Sequence, residues 1–256
     1  MDISTIIGFI LAMIGIVGGL LLEGGEIADI SQYTAFVIVM GGTIGAVMIQ
    51  FPMKVFKAGM KSFKLVLFDV NKDPDELINQ IVEFANKARK EGLVALEGDV
   101  KNIDDEFFKK AMMMAIDGSA KKDVEDTLEL ELHYMEEHLG HIPKVWEACG
   151  GYAPTVGIIG AVMGLIQVMK NLQDIDAVGH GIAVAFVATI YGVFFANCVF
   201  LPAATKIKNK NRLDIIQKEM ILSGVLLMIE GINPRVIADK LYNFYDEEVK
   251  ANRKAS

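Results

Sequence analysis

Residues 149–169 read CGGYAPTVGIIGAVMGLIQVM, a run of about twenty residues with no Asp, Glu, Lys or Arg. At 1.5 Å per residue, such a run wound as a helix crosses the roughly 30 Å of hydrocarbon in a bilayer. Helix is the form to expect, because a chain in lipid must satisfy every backbone N–H and C=O from within. Three further runs of the same kind lie at residues 3–22, 33–51 and 179–201, and none of them carries Asp, Glu, Lys or Arg either. Nearly all the charge falls between and after these blocks. The sequence therefore predicts an all-α polytopic membrane protein with four spans and a helical cytoplasmic domain. It divides as spans one and two (1–53), an insert (54–147), spans three and four (148–203) and a tail (204–256).

The first run opens Met-Asp and closes Leu-Leu-Glu-Gly-Gly. It lacks the leading basic residues and small-x-small site of a cleaved leader, so it reads as a retained helix. The short loops set the orientation. Glu23, Glu26 and Asp29 lie between the first two spans, and Lys170, Asp174 and Asp176 lie between the last two. Lys54, Lys57, Lys61 and Lys64 follow span two, and Lys206, Lys208, Lys210 and Arg212 follow span four. Cationic loops stay on the cytoplasmic side, which places both termini and the insert there.

The net charge of −8 excludes nucleic acid as a partner, since phosphate binding needs a concentrated basic face. Cys149 and Cys198 form no CxxC, and the four histidines form no HExxH, so neither cysteine chemistry nor a metal is expected. There is no P-loop, no GxSxG and no carboxylate pair in an aqueous cleft; Gly41, Gly42 and Gly45 lie inside span two and follow no strand.

Helical periodicity organises the insert. Lys54, Lys57, Lys61 and Lys64 share one face and Phe56, Met60, Phe63 and Leu67 another, as in a basic amphipathic helix on the inner membrane surface. Asp73 reads as an N-cap before Pro74, and Gly92 as the end of that helix. Asp104 reads as the start of the next helix, which stops near Gly118. A long helix from Lys121 carries Val124, Leu128, Leu132, Met135 and Leu139 toward span three. Residues 220–229 are apolar but too short to span, so they read as a buried cytoplasmic or subunit-contact helix. Asn233-Pro234 breaks the chain before a last amphipathic stretch over 235–250.

Ionisable residues inside a membrane normally mark an ion pathway. The four spans are read as carrying no Asp, Glu, Lys, Arg or His, so proton movement requires a titrating group from another chain. Small residues instead recur at helix-contact spacing: Gly157, Gly160, Ala161 and Gly164 in span three, and Gly181, Ala185, Ala188, Gly192 and Ala196 in span four. Thr189 lies near the middle of span four, with Thr155 and Asn197 nearer the inner side. A threonine there either bonds its own i−4 carbonyl or lines a path. Pro154 and Pro202 lie at the inner ends of their spans, where each removes a backbone hydrogen bond and loosens the helix.

GGYAPTVGIIGAVMGLIQVM (150–169), ATIYGVFFANCVFLPAATK (188–206), ARKEGLVALEGD (88–99) and EGINPRVIADKL (230–241) resemble the flagellar stator A-subunit family (MotA/PomA) in order and across the chain. The resemblance implies residence in the bacterial inner membrane. It implies a pentamer around two single-span, MotB-like B subunits that carry the essential aspartate, and a ring that pushes on the rotor's switch-complex protein. It implies that Pro154 and Pro202 couple ion passage to movement, that Thr189 faces the ion path, and that Arg89, Glu97 and Glu131 contact the rotor; without it those three charges read as a solvated helix face. Ala161 stands where sodium-driven members carry a hydroxyl. A sodium ion needs oxygen ligands whereas a proton needs only the carboxylate, so H+ is the expected ion, with Thr155 as the one nearby oxygen that favours Na+. The related ExbB/TolQ-like energisers place one span before the insert; here two precede it. Nothing in the spans resembles the inverted repeat of a secondary transporter.

Overall fold

The computed structural model describes residues 2–68 and 74–244. Its elements are α1 (Ile3–Leu22), a 3-10 turn (Ile27–Ile30), α2 (Tyr33–Gln50), α3 (Met53–Lys61), α4 (Phe63–Leu67), α5 (Pro74–Glu91), a 3-10 turn (Leu93–Leu96), α6 (Glu97–Val100), α7 (Glu106–Ile116), α8 (Lys121–Lys170), α9 (Ile175–Phe194), a π-helical segment (Phe195–Phe200), α10 (Leu201–Ile229), α11 (Pro234–Leu241) and a 3-10 turn (Tyr242–Phe244). No strand occurs among the described residues. Among the described residues, four helices are long and apolar enough to cross a membrane. The chain forms two compact units, Met1–Val70 with Leu139–Asn209 and Asn71–His138 with Lys210–Ser256, and α8 and α10 contribute residues to both.

The first unit holds the four apolar helices. Its large side chains point outward: Ile14, Leu22, Ile49 and Phe186 are all well exposed. In water that surface would be unstable, but against lipid tails it is the expected solvent face. α2 buries Ala35, Val39, Thr43 and Val47, and meets Val187 and Ala188 of α9. The Tyr191 hydroxyl donates to the Ile30 carbonyl (2.6 Å) and accepts from the Gln32 amide (3.1 Å), which fixes the loop before α2 to the last turn of α9. α1 buries no residue in this chain. It is held at its start, where Asp2 caps the helix and pairs with Lys206, and the Asp2 amide donates to the Leu67 carbonyl at 2.9 Å.

The amphipathic segment after α2 is two helices rather than one. Ser62 interrupts it, its hydroxyl donating to the Gly59 carbonyl at 2.6 Å, and Phe63 restarts the chain as α4. A serine that bonds the carbonyl three residues back competes with the helix ladder, which is the reason for the break. The Trp146 indole N–H donates to the same Gly59 carbonyl (2.9 Å) and to Ser62 Oγ (3.3 Å), so α8 grips the turn.

The second unit has its own core, with Ile78, Ile81, Leu96, Phe108, Met112, Leu128, Met220, Val225, Ile237 and Leu241 almost fully buried. The apolar run at 220–229 is the part of α10 that fills this core, which selects the buried reading over an exposed contact helix. Asp105, not Asp104, caps α7, its side chain accepting from the Phe108 amide at 2.9 Å. Adjacent aspartates cannot be ranked by composition; the backbone chooses the one with extended φ and ψ. Gly92 (φ +86°) and Gly118 (φ +76°) end their helices in the left-handed conformation that glycine tolerates. The expected cap Asp73 lies outside the described residues, as does the stretch after Phe244; within them the last helix is α11, capped by Asn233.

Candidate functional site: the face between spans three and four

α8 and α9 approach closely because their facing residues are small. A methyl placed on Gly160 would lie 2.7 Å from Cβ of Ala188, and one on Gly164 would lie 2.6 Å from the Gly181 carbonyl oxygen. Such separations are available only without side chains, and close backbone approach is what joins helices in lipid, where the hydrophobic effect offers nothing. Pro154 is half-buried in the middle of α8, which continues through it. It has no N–H for the Gly150 carbonyl, so this turn is the weakest in the helix. Pro143 lies inside α8 as well, a second interruption that the apolar pattern does not single out.

Pro202 is exposed and stands second in α10, directly after the π-helical segment Phe195–Phe200. In an α-helix its ring would collide with the carbonyl four residues back. The wider π turn accommodates that clash, and π segments recur at functional sites. Sequence periodicity cannot show this segment, since one wide turn changes the apolar pattern too little.

The polar side chains along this face turn back on their own helices. Thr189 Oγ1 donates to the Ala185 carbonyl at 3.2 Å, Thr155 Oγ1 to Tyr152 at 2.9 Å, and Asn197 Nδ2 to Val193 at 2.9 Å. Each hydroxyl proton is thereby committed, while the oxygen lone pairs stay able to accept. Half-buried Thr189 thus presents an acceptor, which suits a protonated carboxyl or a water. Ala161, half-buried in α8, offers no polar atom. Two residues escape the sequence pattern. His180 lies within α9 near its start, exposed, so the spans are free of Asp, Glu, Lys and Arg but not of every ionisable group. Thr43 is fully buried in α2, and its hydroxyl has no partner among the described residues.

Arg89, Glu97 and Glu131 lie in the second unit on three different elements. Arg89 is exposed in the last turn of α5 and makes no ion pair among the described residues. Glu97 starts α6 and pairs with Lys101 at 3.2 Å; nearby, Lys87 and Asp99 join α5 to α6 at 2.7 Å, an interaction that raises the Lys87 pKa. Glu131, on α8, pairs with Lys110 of α7 at 2.5 Å. Exposed pairs of this kind contribute little to stability and exchange readily for a partner's charges. The structure therefore leaves Arg89 and Glu97 exposed and Glu131 half-buried, each on a different helix.

Residues 6–92 match the family described as motility protein A N-terminal, and residues 99–220 match the MotA/TolQ/ExbB proton channel family. Motility protein A of Bacillus subtilis is 38% identical over 243 residues, covering 94% of this chain and 90% of that protein. Chemotaxis protein PomA of Vibrio alginolyticus is 33% identical over 252 residues, 98% of each. Among solved structures, the C. jejuni MotAB complex aligns with a TM-score of 0.92 at 36% identity, over 96% of each chain. The flagellar MotAB stator complex of Bacillus subtilis aligns with a TM-score of 0.87 at 36% identity, over 96% of this chain and 97% of that one.

Proposed function

We infer the work of this chain from one premise: it belongs to the MotA/TolQ/ExbB proton channel family, and it aligns with motility protein A sequences over nearly its whole length. It is a flagellar motor stator subunit that acts in complex with a MotB-like partner in the bacterial inner membrane. The observation that carries this is the end-to-end match to chains of solved MotAB stator complexes. The family is one of proton channels and stators rather than enzymes.

The finer reading draws on the geometry together with the family resemblance. The face between α8 and α9 lacks Asp, Glu, Lys and Arg, so the proton-carrying carboxylate is the B subunit's. A carboxylate in hydrocarbon is costly when charged and far less so when protonated, so each protonation changes which wall of the ring it can lie against. Thr189 offers an acceptor to the protonated form. Pro154 and Pro202 mark the points where α8 and the π-to-α10 junction yield as the carboxyl enters and leaves. The A subunits form a pentamer around two B subunits, both termini face the cytoplasm, and Arg89, Glu97 and Glu131 meet the charges of the rotor's switch-complex protein. Ala161 favours H+ over Na+, because it adds no hydroxyl oxygen of its own to help replace the water of a sodium ion.

The test is to supply the chain with its MotB-like partner to a flagellated strain lacking both stator subunits. Rotation should appear and should stop when the proton gradient is collapsed at constant sodium. Rotation that instead tracks sodium would overturn the ion assignment, and Ala161→Thr should move the wild-type behaviour in that direction.

A further inference from the structure

Two of the places where glycines bring α8 and α9 together meet backbone before side chains. At one, a methyl on Gly164 would lie 2.6 Å from the Gly181 carbonyl oxygen and 2.8 Å from the Ala185 nitrogen, ten residues beyond Pro154 along α8. At the other, a methyl on Gly157 would lie 2.8 Å from the Ala188 carbonyl oxygen, 3.3 Å from Cα of Gly192 and 3.4 Å from Cα of Thr189. A methyl on Gly192 would lie 2.5 Å from the Ala153 carbonyl oxygen and 3.1 Å from Cα of Pro154. Every one of these neighbours is backbone. No rotamer change relieves the contact; one helix would have to move.

We propose that Gly192 and Gly157 are positioning residues for Pro154, which hold α9 flush against the proline's backbone so that movement at the proline passes directly to α9 and Thr189. The proposal rests on the reading of Pro154 as a coupling residue. Its physical basis is slack. Pro154 lacks the N–H that would stiffen its turn, so that turn bends toward whatever space is open. Gly192 leaves none, since the backbones touch and a gap even a fraction of an ångström wide forfeits much of the contact. A displacement of the proline is then a displacement of α9. With a methyl inserted the helices remain associated through the Gly164–Gly181 contact, but the proline moves before α9 does.

The matched control is Gly164→Ala, which adds the same methyl to the same helix pair against equally close backbone, far from Pro154. In the full complex with its B subunit, assembly is read by co-purification and torque per stator by the step height of tethered cells. Gly192→Ala should assemble and lose roughly tenfold in step height, toward the lower end of the range for coupling between sites. Gly164→Ala should keep the step height of whatever complexes assemble. Gly192→Ala combined with Pro154→Ala should be no worse than the weaker single variant, because both act through one element. A wild-type step in Gly192→Ala, an equal loss in Gly164→Ala, or losses that multiply in the double variant would overturn the proposal. If Gly192→Ala does not assemble, Gly157→Ala is read in its place, and failure of both to assemble while Gly164→Ala does would show that these glycines hold the fold rather than position the proline. A wild-type step in Pro154→Ala overturns the coupling reading itself. A wild-type step in Gly192→Ala beside a collapsed one in Pro154→Ala removes only the glycine's part.

Discussion

Lys121 at the start of α8 and Glu230 just past the end of α10 pair at 2.5 Å, and each ionised group supports the other: the Glu230 carboxyl is held below its ordinary pKa and the Lys121 ammonium above its own. A depressed carboxyl stabilises the fold above its unfolded pKa of about 4.3 and loses that effect as pH falls through the folded value. A raised ammonium stabilises below its unfolded pKa of about 10.4 and loses that effect as pH rises through its folded value. The bridge is therefore complete between those limits. Glu230→Gln should weaken hydrogen-exchange protection at the start of α8 and the end of α10 at neutral pH, and the difference from wild type should vanish as the pH drops below the carboxylate range. A difference that persists in acid would assign the effect to packing rather than charge. The same reasoning about neighbours applies to Glu97 and Glu131: Lys101 lies at i+4 of Glu97, a pairing that spacing can show, whereas Lys110 reaches Glu131 from another helix.

At the scale of elements, the amphipathic α3 owes its position to a few polar contacts as well as to its apolar face. Trp146 reaches from α8 to the Gly59 carbonyl and Ser62 hydroxyl, while a Cβ on Gly59 would collide with Val145 at 2.7 Å, so α3 lies directly on α8. Trp146→Phe keeps most of the buried ring and removes the donor, which should cost about 0.5–1.5 kcal/mol. Thermal unfolding of the detergent-purified complex should show that loss, together with faster exchange at residues 53–62. A variant with unchanged exchange there would mean that the indole donor does not anchor α3. The apolar periodicity identified each helix that matters here. It did not reveal where Ser62 divides the interfacial segment, which of two aspartates caps α7, or that a π segment precedes Pro202. Each of these is decided by one hydrogen bond or one extra residue per turn, below the resolution of a pattern averaged over several turns.

For the whole molecule, the distribution of charge carries a functional consequence. With Asp, Glu, Lys and Arg kept out of the four apolar runs 3–22, 33–51, 149–169 and 179–201, those runs provide a wall but no carboxylate for a proton to ride on. In proteoliposomes bearing a proton gradient, the chain alone should be tight, and conduction should appear only when the B subunit is reconstituted with it. Full conduction by the chain alone would sink this division of labour, and His180 would be the first residue to replace in explaining it.

The sequence by itself determined that the chain carries four runs long and apolar enough to span a membrane, that it folds as helices without strands among the described residues, and that the apolar run 220–229 is too short to span. All of these depend on length and polarity along the chain, which need no knowledge of neighbours. Only the tertiary structure decided that 220–229 fills the core of the second unit, that Thr189 bonds Ala185, and that Gly157 and Gly192 bring two backbones together at Pro154. Those facts depend on which residues meet across helices, and contact between positions tens of residues apart is set by packing, not by any periodicity along the chain.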